Sequence, residues 1–216
     1  MSDDKFSVIY ADPNWIYANF GAKKHGSPKT HYGVAETVDI AKIPVADLWA
    51  KKDCVLLLCG TWPKLRDAFA VAEAWGFNEY VTGIPWIKTS PNTGNIRTGI
   101  GFWFQSTSEV FLIFRRGKPP APDGSKLKKR SPPKGLLCGS EGQFYAPVKE
   151  HSAKPLLVYD WARAKLKGPY LELFARNKIH GWTCWGHDTG FHLDENGVHE
   201  INAPAPPPPP PSTVTL

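Results

Sequence analysis

Short apolar runs punctuate this chain, and most are too brief for helices. 'FSVIYA' at 6–11 and 'DCVLLLC' at 53–59 are unbroken runs of strand-forming type, the pattern of strands covered on both faces. The second leads through 'GTW' into 'PKLRDAFAVAEAWG', where Leu65, Phe69, Ala72 and Trp75 recur at helical spacing. Pro63 near its start and Gly76 just past its end mark the helix boundaries. Further strands are expected at 79–88 ('EYVTGIPWIK'), 109–115 ('EVFLIFR'), 169–175 ('PYLELFA') and 181–186 ('GWTCWG'), with a helix over 155–166 opened by Pro155. Apolar strands alternating with helices indicate an α/β fold whose largely parallel sheet is covered on both sides.

Two segments break the pattern. Residues 117–135, 'GKPPAPDGSKLKKRSPPKG', are rich in Pro, Lys and Arg and predict a long basic loop. Residues 203–211, 'APAPPPPPP', predict an extended polyproline tail. The expected organisation is therefore one catalytic-sized domain over 1–193 and a flexible tail over 194–216. Its formal charge of +6 and pI near 9.1 favour a polyanionic partner. The nine Trp residues suit either a stiff core or flat surfaces for flat ligands. Cys54, Cys59, Cys138 and Cys184 form no C-x-x-C pair, so free thiols in a reducing compartment are expected and a metal site is not. With no basic, apolar leader and no run of about 18 apolar residues, the chain reads as cytoplasmic, with no membrane partner.

In an open α/β sheet, ligands bind outside the carboxyl ends of the strands. Three expected ends carry polar residues: Asp12-Pro13-Asn14-Trp15, Glu172 with Phe174, Arg176 and Asn177, and Gly186-His187-Asp188. One such acid reads as a turn former; three on one sheet suggest a shared site. The first group supplies a carboxylate, a carbonyl directed by proline, and an aromatic face. A planar amine such as adenine N6 needs all three. Its lone pair is delocalised into the ring, so acceptors at both N–H groups favour a pyramidal, nucleophilic nitrogen, and charge growing there is where fixed acceptors help most. Trp15 would stack on the base and hold it for in-line transfer.

These residues resemble the MT-A70 family of S-adenosylmethionine-dependent adenine-N6 methyltransferases. The resemblance runs from about residue 6 to 188. 'ADPNW' resembles the family's Asp-Pro-Pro-Trp motif, and 'HYG' at 31–33 follows where members often carry a tyrosine. 'PWIKT' at 85–89, 'IRTGIGFWFQSTSEVFL' at 96–112, 'HSAKP' at 151–155 and 'LELFARNKIHGWTCWGHD' at 171–188 resemble further family blocks. The resemblance implies a Rossmann-like class I methyltransferase fold in permuted order, with the catalytic motif N-terminal and the cofactor motif C-terminal. That order explains why no glycine-rich loop follows the first strand, a lack that also counts against a dinucleotide-dependent dehydrogenase.

By motif position, Asp12, Pro13, Asn14 and Trp15 are the implied catalytic residues. Asp12, Lys154, Glu172, Phe174, Arg176, Asn177, His187 and Asp188 would bind S-adenosylmethionine, Lys154 meeting its carboxylate and Glu172 its ammonium. Tyr32 and Trp15 would receive a flipped base. Lys126, Lys128, Lys129 and Arg130, with Lys23, Lys24, Lys29 and Lys134, would neutralise phosphates. The implied partner is nucleic acid, with DNA favoured over RNA because the chain is little more than a catalytic core. The implied activity is that of a site-specific adenine-N6 methyltransferase, and the alternatives are an RNA methyltransferase or a catalytically silent nucleic-acid binder. Two departures stand out: Asn14 replaces the motif's second proline, and 'GHD' replaces the usual Gly-Asn-(Glu/Gln).

Overall fold

A computed structural model describes residues 5–16, 37–99, 103–122, 138–139, 143–148, 154–186, 191–194 and 197–200. The strands are β1 (Phe6–Ala11), β2 (Ala50–Gly60), β3 (Glu79–Thr89), β4 (Ser108–Arg116), β5 (Cys138–Gly139), β6 (Gln143–Pro147), β7 (Tyr170–Leu173) and β8 (Thr183–Trp185). They form one sheet in the order β5-β6-β3-β4-β2-β1-β7-β8. The helices are α1 (Thr37–Ala41), α2 (Val45–Leu48), α3 (Leu65–Ala74) and α4 (Leu157–Lys165). A separate hairpin of β9 (Phe191–Asp194) and β10 (Gly197–Glu200) crosses the residue-193 boundary expected from composition.

The unbroken apolar runs have a direct cause. Along β1, Phe6, Ile9 and Ala11 join one core with Leu56 and Leu58 of β2, while Val8 and Tyr10 join another with Val55 and Leu57. The first core receives Ile40, Val45, Ala68, Val71 and Ala72 from α1–α3. The second receives Val158, Tyr159 and Ala162 from α4. Each central strand is thus buried on both faces, and each fully buried aliphatic side chain contributes roughly 1.5–3 kcal/mol. The expected helix over 63–76 appears as a single 3-10 turn, Trp62–Lys64, running into α3. Gly76 ends it at φ +78, with the Phe77 N–H donating to the Ala72 carbonyl, a left-handed closure that favours glycine.

The sheet is less uniformly parallel than the sequence pattern suggests. β2, β1, β7 and β8 are mutually parallel, and β3 is parallel to β6. β4, however, lies antiparallel between β2 and β3. Two faces of helix cover bury an antiparallel strand as well as a parallel one, so an apolar run carries no direction. The reversal has a functional consequence. The beginning of β4 shares an edge with the carboxyl ends of β1, β2, β3, β6 and β7.

Five of the nine Trp residues (Trp15, Trp49, Trp75, Trp86 and Trp182) are buried, which assigns most of them to the stiff core. The indole N–H groups of Trp15, Trp75 and Trp86 donate to the carbonyls of Cys59, Ile40 and Ala146. Cys54, Cys59 and Cys184 are free, buried thiols. Among the described residues, no helix is long and apolar enough to cross a membrane. Nor does any group of three or more His, Cys, Asp or Glu among them suit a metal ion.

Candidate active site

β1 ends at Ala11, and the chain leaves the sheet through Asp12. The Asp12 N–H still donates to the Leu173 carbonyl at 3.4 Å, tying the turn to the end of β7. Pro13 is buried, and its carbonyl accepts the Trp15 N–H at 3.0 Å, closing a three-residue turn that fixes where this carbonyl points. A carbonyl oxygen has a second lone pair for a ligand N–H. Trp15 is 5% exposed and packs in the first core, its indole pinned to Cys59 at 3.2 Å. In this position it braces the turn against β2 rather than standing as an open platform.

Asp12 belongs to a chain of alternating charges. Lys154 Nζ lies 3.0 Å from Asp12 Oδ1 and 3.2 Å from Glu109 Oε2; Lys88 Nζ lies 2.6 Å from Glu109 Oε1. Asp12, Glu109 and Lys154 have side chains only 9–14% exposed, so solvent screens them little. Burial works against the Lys154 ammonium, but Asp12 and Glu109 hold its pKa well above the ordinary lysine value. Burial likewise raises Glu109, yet Lys154 and Lys88 outweigh it and hold the carboxyl below its ordinary range. Both groups are therefore charged at neutral pH. The Cys59 thiol beside them is pushed up by burial and stays protonated.

The late strand ends meet this edge as expected. Phe174 follows β7 at φ +64, a left-handed conformation costing about 1–2 kcal/mol for a residue with a side chain. It is held there by packing on Trp185 and by the Ala175 N–H donating to the Trp185 carbonyl at 2.8 Å. Gly186 follows β8, and a Cβ there would overlap the backbone of Ala175. Gly186→Ala is accordingly expected to lower stability by roughly 3 kcal/mol, within the range for overpacking at an unyielding contact; thermal melting checks it.

Asn14 is explained by a partner far along the chain. Its Oδ1 accepts a hydrogen bond from Arg176 Nη2 at 3.0 Å, joining the turn after β1 to the turn after β7. Proline could not make this link. Asn14→Pro is expected to cost about 1.5–3 kcal/mol of stability, the scale of a hydrogen bond to a charged group, and to change turnover by no more than a few-fold. Paired melting and initial-rate measurements test both parts.

Glu172 lies buried at the second core. Its Oε1 accepts the Tyr159 hydroxyl at 2.6 Å and its Oε2 lies 3.7 Å from the Cys184 thiol, on the face covered by α4. Each carboxylate oxygen thus faces one donor inside the protein and keeps a second lone pair. Burial pushes Glu172 up to about 7; the Tyr159 hydrogen bond opposes that and the Asp12 charge adds to it. The folded value lies above the unfolded one. The stabilisation is therefore fully present below 4.5 and is lost as pH rises through about 7. Unfolding free energy is expected to drop by on the order of 3 kcal/mol from this group over that window. In Glu172→Gln that part of the slope should vanish in melts recorded across it.

The family model MT-A70 matches residues 6–188. The chain belongs to the MT-A70 family. It is 29% identical over 199 residues to the type II methyltransferase M.MunI of a Mycoplasma species, covering 84% of this chain and 77% of that protein. It is 28% identical over 191 residues to the human N(6)-adenine-specific methyltransferase METTL4, covering 85% of this chain and 37% of the relative. A third relative, the N6-methyladenosine RNA methyltransferase MTA1 of Pyricularia oryzae, is 28% identical over 221 residues, covering 95% and 53%. The chain thus spans about a third to a half of the two eukaryotic members.

Of the residues singled out in this MT-A70 sequence, the structure brings Asp12, Pro13, Asn14, Lys154, Phe174 and Arg176 to one sheet edge. Asn177 follows them as an exposed residue. Tyr32, His187, Asp188, Lys126, Lys128, Lys129, Arg130 and the remaining basic-loop and N-terminal lysines lie outside the described residues, as does the polyproline segment. Sequence reasoning missed Glu109 and Lys88. Both stand inside the blocks that resemble the family, Lys88 at the end of β3 and Glu109 on a strand that begins at the site instead of ending there.

Proposed function

We propose that this protein transfers a methyl group from S-adenosylmethionine to N6 of adenine in a polynucleotide, with DNA the preferred polymer. The observation that carries this reading is the turn after β1. The Asp12 carboxylate and the directed Pro13 carbonyl sit side by side at the sheet edge, in a family whose relatives are named for N6-adenine methylation.

The residues present fit the cofactor's zwitterionic end. A lysine ammonium has three donors; those of Lys154 facing Asp12 and Glu109 leave a third direction suited to a carboxylate, while the acids of the edge suit the ammonium and the positive sulfur. Bound there, S-adenosylmethionine supplies an electrophilic methyl carbon and a neutral thioether leaving group. The chain's own part is to bind and orient. Asp12 accepts one N–H of the adenine amine and the Pro13 carbonyl the other, turning the nitrogen lone pair out of the ring plane. As the N–C bond forms, positive charge grows on nitrogen next to the Asp12 carboxylate, and the surplus proton leaves along that hydrogen bond. Arg176, tied to Asn14, keeps the turn in register with the end of β7.

The preference for DNA follows the type II methyltransferase of the Mycoplasma species, of which this chain covers the largest share, 77%; RNA is the second reading, favoured by the fungal relative. Incubating the protein with labelled cofactor and separate DNA and RNA substrates tests the choice. Label should enter DNA at least tenfold faster than RNA. The opposite order would favour RNA, and no label in either would leave a silent binder.

A further inference from the structure

Among the described residues five aromatic rings are exposed, Trp62, Tyr80, Trp103, Phe104 and Tyr145, and three of them gather at one place. Trp103 is 87% exposed, Phe104 86% and Trp62 45%. All three stand on segments fastened to the start of β4, beside Glu109. The Trp62 indole N–H donates to Ser108 Oγ at 2.9 Å, which holds that ring at the sheet edge. Trp103 and Phe104 lie on the β3–β4 connection, whose base is tied by Lys88 N–H to the Thr107 carbonyl, Arg97 N–H to the Lys88 carbonyl, and Gly99 N–H to the Ser106 carbonyl. The base of this connection is therefore an ordered ladder next to the Lys88–Glu109–Lys154–Asp12 chain, and it holds two adjacent apolar rings out in water.

Exposing two large rings in succession forfeits burial worth several kcal/mol, which an occupant covering them would recover. Charge selects among occupants. From Ser90 to Thr107 the sequence has one cation, Arg97, and no acid, in a chain of net charge +6. Rings on a segment whose one charge is a cation, beside an edge where Lys88 and Lys154 pair with the acids, suit a strand of stacked bases joined by phosphates. A regular duplex hides its base faces, so the rings can stack only where bases are unstacked.

We infer that Trp103 and Phe104, with Trp62, form a stacking platform for the bases that flank the target adenine in a locally unpaired strand. This deepens the proposed function and rests on it: it makes the substrate a single-stranded or opened stretch of polynucleotide.

The test uses a single-stranded deoxyoligonucleotide with 2-aminopurine beside one adenine, titrated with the full chain. Wild type should quench the probe on binding. Trp103→Ala with Phe104→Ala should bind roughly tenfold or more weakly, lose the quench, and keep the slope of affinity against salt, because phosphate contacts are untouched. Trp103→Phe with Phe104→Tyr should restore affinity to within about threefold. Melting temperature and cofactor affinity report that the variant is folded. Unchanged affinity and quench in the alanine variant, in a protein whose wild type makes N6-methyladenine, overturns the platform alone. A wild-type dimer that becomes monomeric in the alanine variant by sedimentation also overturns it, since the rings then cover a second copy. A wild type that neither binds the oligonucleotide nor methylates adenine overturns the proposed function and the platform with it.

Discussion

Asp12→Ala is expected to reduce methyl transfer by at least about 100- to 1,000-fold, the usual cost of removing one fixed acceptor at a charge-developing atom. The structure explains why the loss should fall on turnover. Lys154 stays paired with Glu109 at 3.2 Å when Asp12 is gone, so the cation proposed for the cofactor carboxylate stays in place. Pro13 keeps its turn through the Trp15 N–H, and Trp15 keeps its bond to Cys59. Isothermal titration with cofactor should therefore show affinity within about tenfold of wild type, while single-turnover rates collapse. A variant that loses cofactor affinity in proportion to rate would make Asp12 a cofactor ligand first.

Lys154→Met should have the second-largest effect, and of a different kind. It leaves Asp12 and Glu109, each less than 15% exposed, without their shared cation. Glu109 keeps Lys88, but Asp12 loses its cation, and leaving a buried charge uncompensated costs about 3–5 kcal/mol. The two carboxylates then repel each other without a cation between them, so the deficit should shrink as pH falls and the repulsion is relieved. Melting curves of wild type and variant should converge on acidification below neutral pH. A pH-independent difference would mean that Lys154 acts through packing alone. Activity should fall with stability, and Lys154→Arg should restore little, because a planar guanidinium does not reproduce a three-donor ammonium between two fixed acids.

The sequence spoke most clearly where causes are local. β1, the centre of β2 and the helix ending at Gly76 follow from runs and spacings contained within a dozen residues, and the structure has them. Asp12 was legible as chemistry and Lys154 only through the family resemblance, and they meet at 3.0 Å. α1 and α2 escaped notice because five- and four-residue helices show scarcely one turn of periodicity. β6, 'QFYAP', escaped because its apolar positions are few and it follows the proline- and lysine-rich segment. Direction was invisible too: a doubly covered strand reads alike either way, so nothing local announced that β4 runs backwards and delivers Glu109. The Asn14–Arg176 bond joins residues 162 apart, a pairing that only the fold can make. Glu172 taught a related lesson. Its motif position implied a ligand, and strand alternation turned it onto the face under α4, where Tyr159 and Cys184 hold it.

The central claim is that the edge built from Asp12, Pro13 and Lys154 methylates adenine N6. Nucleoside mass spectrometry after incubation of the purified protein with S-adenosylmethionine and adenine-containing DNA or RNA tests it directly. The account predicts N6-methyladenine from wild type, at a level at least a hundredfold above Asp12→Ala. Cofactor bound by the wild-type protein with no N6-methyladenine in either polymer would contradict it.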